Sequence, residues 1–322
     1  MPQPFRPDVL SELDHVLAAA DTDSSPWRTP DGSGDPDARE YVPDHQTLED
    51  LLRIPIEQGH ASSQQSGRVA KSLDAYVAHE LRRAGFPASA VFPRPRQPRV
   101  LAGEVADLEA EVQTMLQALA NHEAGGSRLH PAALRQAINR VAGSLPGSTD
   151  ANILGRFYVK QVDVVVSDWR RGPDVLVSGK SMFSSYLNNK NNRYEEAIGE
   201  AINLRDRYPL AAMGYAYVVR SNVFAGGAFE LLRDLLVRLR RPDGPFDATV
   251  LLVAEWDDEG PTLNTVEDPA PALALPRFFA DLLDAVMNSA PVDVHPEIRR
   301  RKLGGQPVGG FPPAEESVLP EP

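Results

Sequence analysis

The chain has 322 residues, enough for one large domain or two ordinary ones, and its 42% apolar and 24% charged residues are those of a soluble globular protein. The absence of cysteine removes disulfides, thiolate catalysis and cysteine-based zinc sites, and the absence of any apolar run of about 18 residues removes a transmembrane helix. The net charge of −12 is unevenly spread: residues 1–60 carry 4 Lys and Arg against 13 Asp and Glu, residues 61–241 carry 24 against 17, and residues 242–322 carry 5 against 15, so a basic middle lies between two acidic ends.

The opening stretch MPQPFRPDVLSELDHVL lacks the apolar core of a signal peptide, and a cytoplasmic location is the expectation. Residues 1–20 pattern as a short amphipathic helix, with Val9, Leu10, Leu13, Val16 and Leu17 at helical spacing. Residues 21–45 are rich in Asp, Ser, Pro and Gly and read as a linker or long irregular loop, before a short helix from Gln46 to Arg53. Residues 1–60 are thus read as an acidic N-terminal helical extension. Ser66 to Ala84 is a stronger helix: Ser66 can cap it, Val69, Leu73, Tyr76, Val77 and Leu81 form one stripe, and Gly85 suits its stop. The next stretch, FPASAVFPRPRQPRVL, is extended but too rich in proline for a central strand. Its Arg94, Arg96 and Arg99 are either phosphate contacts or part of a solvated loop. Gly103 to His122 and Pro131 to Ala142 pattern as two helices, a helical insert over residues 103–145 suited to dimerisation or recognition.

Arg156 to Lys180 reads as two strands, Phe157 to Ser167 and Pro173 to Ser181, around Trp169-Arg170-Arg171-Gly172. Side chains two apart on a strand share a face. Val162, Val164 and Val166 then point one way, and Gln161, Asp163 and Val165 the other. On the second strand Leu176, Ser178 and Lys180 share a face, opposite Val175, Val177 and Gly179. Asp163 and Lys180 are expected to converge on one side of this hairpin. A carboxylate in a Val-rich strand is costly unless it is paired or bound to metal. An ion pair with Lys180 or Lys160 would meet that cost. So would a reactive pair, in which the carboxylate holds a divalent metal and the ammonium orients water or stabilises developing negative charge. Asp174, beside Pro173, reads as a turn-shaping residue, and the seven His show no metal-ligand spacing.

Asn192 to Arg207 follows as a helix whose stripe is Tyr194, Ala197, Ile198, Ala201 and Leu204, with Glu196 and Glu200 one turn apart on its border. Ala211 to Val223 is a buried strand, Phe229 to Arg240 a helix, Ala248 to Trp256 a strand and Pro276 to Met287 a last helix. Residues 299–322 turn to charge, Gly and Pro and are expected to be a disordered tail. This order predicts an α/β fold, a mixed central sheet flanked by helices.

Gly179-Lys180-Ser181 matches the end of the phosphate-loop pattern G-x-x-x-x-G-K-S/T, but the opening glycine is replaced by Asp174 and the residues between prefer extended strand. A nucleotide-binding reading is correspondingly weak. The stretch resembles instead the PD-(D/E)XK, or restriction-endonuclease-like, superfamily, over residues 66–256. Asp163 matches the family aspartate and Lys180 the family lysine. Ser178 stands where the family usually has a carboxylate. The resemblance is to a variant with Ser-x-Lys, in which a glutamate on the following helix, a dozen or so residues past the lysine, replaces that ligand. Glu195 and Glu196 lie 15 and 16 residues past Lys180; Glu196 is preferred, with Glu195 and Glu200 also possible. The first helix of the family often adds an acid, here Asp74, with Glu80 in reserve. Gln161 is a further possible ligand or water holder.

The resemblance implies a restriction-endonuclease-like core in a nuclease-like domain over residues 61–298. It also implies a Mg²⁺-dependent DNA endonuclease, with Mn²⁺ as a substitute metal, of restriction or phage-defence type. Asp163, Glu196 and the Gly179 carbonyl would hold metal, with Asp163, Lys180, Glu196 and Ser178 as the catalytic set. Arg170, Arg171, Lys190, Arg193 and Arg205 would contact DNA phosphates, although Arg193 could equally pair with Glu196 or Glu200. A homodimer or a defence-system partner protein is expected beside DNA. The rival expectation is a catalytically degenerate nuclease fold serving as a DNA-binding or assembly subunit of a defence complex.

Overall fold

A computed structural model describes residues 10–30, 38–61, 66–95, 99, 112, 114–116, 135, 151–168, 171–240, 244–257, 262–291 and 293–304. After a 3-10 turn at Ser11–Leu13, the first elements are α1 (Asp14–Ala19), β1 (Trp27–Arg28), β2 (Glu40–Tyr41), α2 (His45–Glu57), α3 (Ser66–Arg83) and β3 (Val91–Phe92). The middle of the chain forms β4 (Ala151–Leu154), β5 (Val159–Val162), β6 (Val164–Asp168), β7 (Gly172–Met182) and α4 (Tyr186–Arg205). The last elements are β8 (Ala212–Arg220), α5 (Ala228–Leu239), β9 (Ala248–Trp256), β10 (Leu263–Glu267), α6 (Leu275–Ser289) and α7 (Pro296–Lys302).

The main sheet has six strands in the order β10-β9-β8-β7-β6-β3. Strands β7, β8 and β9 are parallel; β6, β3 and β10 run antiparallel to their neighbours. Parallel neighbours need crossover connections, and α4 and α5 supply them. Helices cover both faces, which is why β8 and β9 are apolar over most of their length rather than alternating. On one face Val164, Val166, Val175 and Val177 pack with Val69, Leu73 and Tyr76 of α3 and Phe278, Phe279 and Leu282 of α6. On the other face Val165, Leu176, Tyr215 and Tyr217 pack with Ala197, Ala201 and Leu204 of α4 and Leu232 and Leu236 of α5. The α/β class and the mixed, helix-flanked sheet agree with the sequence. Among the described residues, no helix is long and apolar enough to cross a membrane.

Three regions depart from expectation. Residues 21–45 are more than a linker: β1 and β2 pair Trp27 with Tyr41, and Tyr41 stacks on Phe279 at 5.1 Å between ring centres. Leu10, Leu13, Leu48, Leu51 and Ile56 are buried in the same core as α3, so the acidic segment is built into the fold. Its link to α3 is a buried polar network. The Tyr41 hydroxyl donates to Glu80 at 2.7 Å, the Asp44 backbone N–H donates to Glu80 at 2.8 Å, and Arg83 meets both Glu80 oxygens at 2.8 Å. Asp44 also caps α2 by accepting from the Thr47 N–H. The His79 imidazole, 3.5 Å away, is the main reason that the Asp44 carboxyl is held well below the usual carboxylate range. Arg99, offered for phosphate contact, is buried and paired with Asp14 at 2.8 Å.

At the other end, residues 299–302 belong to α7 instead of a disordered tail. Ile298 is buried, and Arg301 donates to the carbonyls of Thr22 and Arg83. Finally, the single strand expected over 157–167 is two. The bend between β5 and β6 falls on Asp163, and β5 pairs with β4 in a separate two-stranded sheet. The expected helices over 103–145 lie outside the described residues apart from 112, 114–116 and 135, as do Arg96 and Arg170.

Candidate functional site

The centre of β7 is Ser178-Gly179-Lys180, in register with Tyr215, Ala216 and Tyr217 of β8. On its other side the ladder to β6 ends at Val164 opposite Val177. The Gly179 N–H is taken by a side chain: it donates to Asp163 Oδ2 at 3.0 Å. Because Gly179-Lys180-Ser181 lies inside a strand, it forms no phosphate-binding loop.

Toward α3, Gly179 faces Asp74, whose side chain is 1% exposed. A β-carbon at position 179 would stand 1.9 Å from Asp74 Oδ1, so only glycine admits the carboxylate. Lys71, one turn earlier on α3, places Nζ 3.1 Å from Asp74 Oδ2 and 3.1 Å from Asp163 Oδ1. Lys71 and Asp163 are 20% and 17% exposed, so this side of the cluster opens to solvent. Two carboxylates from different elements thus share one ammonium, over a strand position without a side chain.

Toward α4, the buried Ser178 hydroxyl donates to Glu200, which is 2% exposed, and Glu200 Oε2 meets Lys160 Nζ of β5 at 2.8 Å. Lys180 Nζ lies 3.5 Å from Glu196 Oε1, and Arg193 holds the other Glu196 oxygen at 2.7 Å. Burial pushes the Glu196 carboxyl up, but Lys180 and Arg193 outweigh it and hold the group below its ordinary range. Burial likewise works against charge on Lys160, and the bond to Glu200 reverses the balance, leaving its ammonium harder to deprotonate than usual. Burial raises the neighbouring Tyr215 and Tyr217 hydroxyls well above their ordinary range.

The expected residues are therefore divided between two clusters. Asp163 meets Lys71 and the Gly179 N–H, and Lys180 meets Glu196; their expected convergence is replaced by these separate partners. The reason is the bend at Asp163. Val162 packs on the α4 face and Val164 on the α3 face, so the two-residue alternation that put Asp163 on the Lys180 side breaks there. Asp74, the helix acid, does join Asp163, whereas Glu80 serves the distant Tyr41–Arg83 network. The glutamate that reaches Ser178 is Glu200, 20 residues past Lys180 and one turn beyond the preferred Glu196. Glu195 is exposed, and Gln161 is exposed on β5 opposite Asn152. Of the residues proposed for DNA, Arg171 lies 3.3 Å from Asp174, Arg193 is bound by Glu196, and Arg205 pairs with Asp247 at 2.9 Å. The side chain of Lys190 lies outside the described residues. Lys71 and its bridging role were not anticipated; its one signal in the sequence is its position one helical turn before Asp74.

Among the described residues, no group of three or more His, Asp or Glu side chains is placed to hold a metal ion. Mg²⁺, however, draws only one or two carboxylates from a protein and completes its shell with water and phosphate oxygens. Asp74 and Asp163 fit that requirement: they already gather around a cation, and the missing side chain at Gly179 is what lets the Asp74 carboxylate reach this point. Glu196 is not part of this pair. In comparisons with known proteins, no family model, curated protein or solved structure matches the chain.

Proposed function

We propose that the protein is a Mg²⁺-dependent DNA endonuclease of restriction or phage-defence type. The observation that carries this reading is the meeting of Asp74 and Asp163 at Gly179, one residue from Lys180. Asp74 and Asp163 would hold the metal, which when bound supplies a Lewis acid that neutralises phosphate charge and makes water more acidic. The Gly179 N–H fixes one oxygen of Asp163 and so orients the other. Glu196 holds the Lys180 ammonium at 3.5 Å, leaving it donors for an attacking water or a phosphate oxygen. The Ser178–Glu200–Lys160 bonds tie β7, α4 and β5 together and set where Lys180 stands. The basic excess of residues 61–241, at 24 cations against 17 acids, suits a phosphate backbone.

The test is cleavage of supercoiled plasmid and phage DNA in Mg²⁺, Mn²⁺ or EDTA. Wild type cuts with metal and not in EDTA, while Asp163→Asn and Lys180→Ala lose cutting and retain their fold. Unchanged cutting by Asp163→Asn would sink the assignment.

Two observations favour the degenerate, DNA-binding or assembly reading. Lys71 already pairs with both carboxylates, and Glu200 is committed to Ser178 and Lys160. On that reading DNA is retained and never cut. Measurable metal-dependent turnover removes it.

A further inference from the structure

Lys71 stands where a cation is needed whether or not metal is present. Asp74 is almost wholly buried, and a second carboxylate, Asp163, is directed at the same point. Two like charges in such a place repel, and a buried charge without a counter-charge is strongly disfavoured. The Lys71 ammonium answers both problems from 3.1 Å on each side. Its attachment is of a releasable kind: the head sits on a flexible four-carbon stem, is 20% exposed, and reaches Asp163 from a different element. Gly179 closes the floor of the cluster with its N–H on Asp163, so the solvent side, where Lys71 sits, is the side by which a cation enters.

We propose that Lys71 is a built-in competitor for the divalent cation, holding Asp74 and Asp163 together in its absence and swinging into solvent when the metal binds. This rests on the metal-site reading above and adds its regulation: the apparent metal affinity is reduced by the fraction of molecules in which Lys71 occupies the pair. Lys71 is a positioning residue in this role, and takes no part in the chemistry.

Calorimetric titration with Mn²⁺ tests it without reference to cleavage. Lys71→Met is expected to bind Mn²⁺ about tenfold more tightly than wild type, by removal of the competing state. Without metal the same variant is expected to melt at a lower temperature, and Mn²⁺ should raise its melting temperature by more than it raises that of wild type. Asp163→Asn should abolish binding in both backgrounds. If Lys71→Met does not fold, the wild-type chain still decides. Reductive methylation followed by mass spectrometry should label Lys71 several-fold more in Mn²⁺ than in EDTA, with the other lysines unchanged. Equal or weaker Mn²⁺ binding by Lys71→Met overturns the proposal, as do unchanged Lys71 labelling and an absence of Mn²⁺ binding to either protein. Tighter binding by the variant with no DNA cutting would remove the nuclease reading and leave the competitor role standing. Metal-dependent cutting with unaltered affinity would do the reverse.

Discussion

On the α3 side of β7 the cluster is two carboxylates, Asp74 and Asp163, around one ammonium, Lys71. On the α4 side it is two carboxylates, Glu196 and Glu200, among three cations, Lys160, Lys180 and Arg193. The named groups thus leave one negative charge on the first side and one positive charge on the second, a single residue apart along the strand. One side suits a cation and the other suits a phosphate, and β7 sets the distance between them. The sides also differ in what holds them. The α3 cluster depends on a missing side chain at Gly179, whereas the α4 cluster depends on a filled network at Ser178 and Glu200.

Gly179→Ala should break the α3 side most severely. The new methyl stands 1.9 Å from a carboxylate that is 1% exposed and held by Lys71. Overpacking of this kind costs about 1–3 kcal/mol, so the urea midpoint should fall and Mn²⁺ binding should be lost. A variant with the wild-type midpoint would mean that Asp74 does not sit against this position. Glu200→Gln tests the α4 side and should cost slightly less. It removes the charge facing Lys160 but keeps an acceptor for Ser178, and hydrogen bonds to charged groups are worth about 1.5–3 kcal/mol. Because Lys160 is 21% exposed and can find water, the lower end of that range is expected. Metal binding should be untouched, and a parallel loss of Mn²⁺ affinity would merge the two clusters into one.

The smallest expected effects are the pH dependences, and both belong to the α4 side. Glu196 has a folded pKa below its ordinary 4.5, so its contribution is present above pH 4.5 and disappears as pH falls through the folded value. Lys160 has a folded pKa above its ordinary 10.5, so its contribution is present below pH 10.5 and disappears as pH rises through the folded value. Glu196→Gln should reduce chiefly the acid limb of a stability–pH profile and Lys160→Met chiefly the alkaline limb, each with a smaller change in the other limb because the two groups attract each other. A profile in which either variant altered the opposite limb more than its own would assign the shifts to other groups.

Much of this arrangement was legible beforehand. The alternation along β7 separates Val175, Val177 and Gly179 from Leu176, Ser178 and Lys180 as read, and strand β9 matches its expected bounds. What escaped was whatever depended on a partner distant in sequence. Nothing local in Val162-Asp163-Val164 signals a bend. The bend exists because β5 leaves the main sheet to pair with β4, a four-residue segment too short to announce itself. The five-residue edge strand β10 also escaped, and the pairing of Trp27 with Tyr41 was hidden because two-residue strands carry no period. Lys71 could be seen beside Asp74, but its reach to Asp163 crosses 92 residues.

The buried bonds of Glu80 have a bearing on where the chain can be divided. Tyr41 and Asp44 lie on one side of residues 58–65 and Glu80 and Arg83 on the other, yet they form a single acid–base network. A break of the chain in that interval would part the Tyr41 hydroxyl and the Asp44 N–H from Glu80, leaving the buried Glu80–Arg83 pair without those two donors. The described part of the first 60 residues is therefore joined to the helix carrying Lys71 and Asp74 by shared core packing and by donors to Glu80.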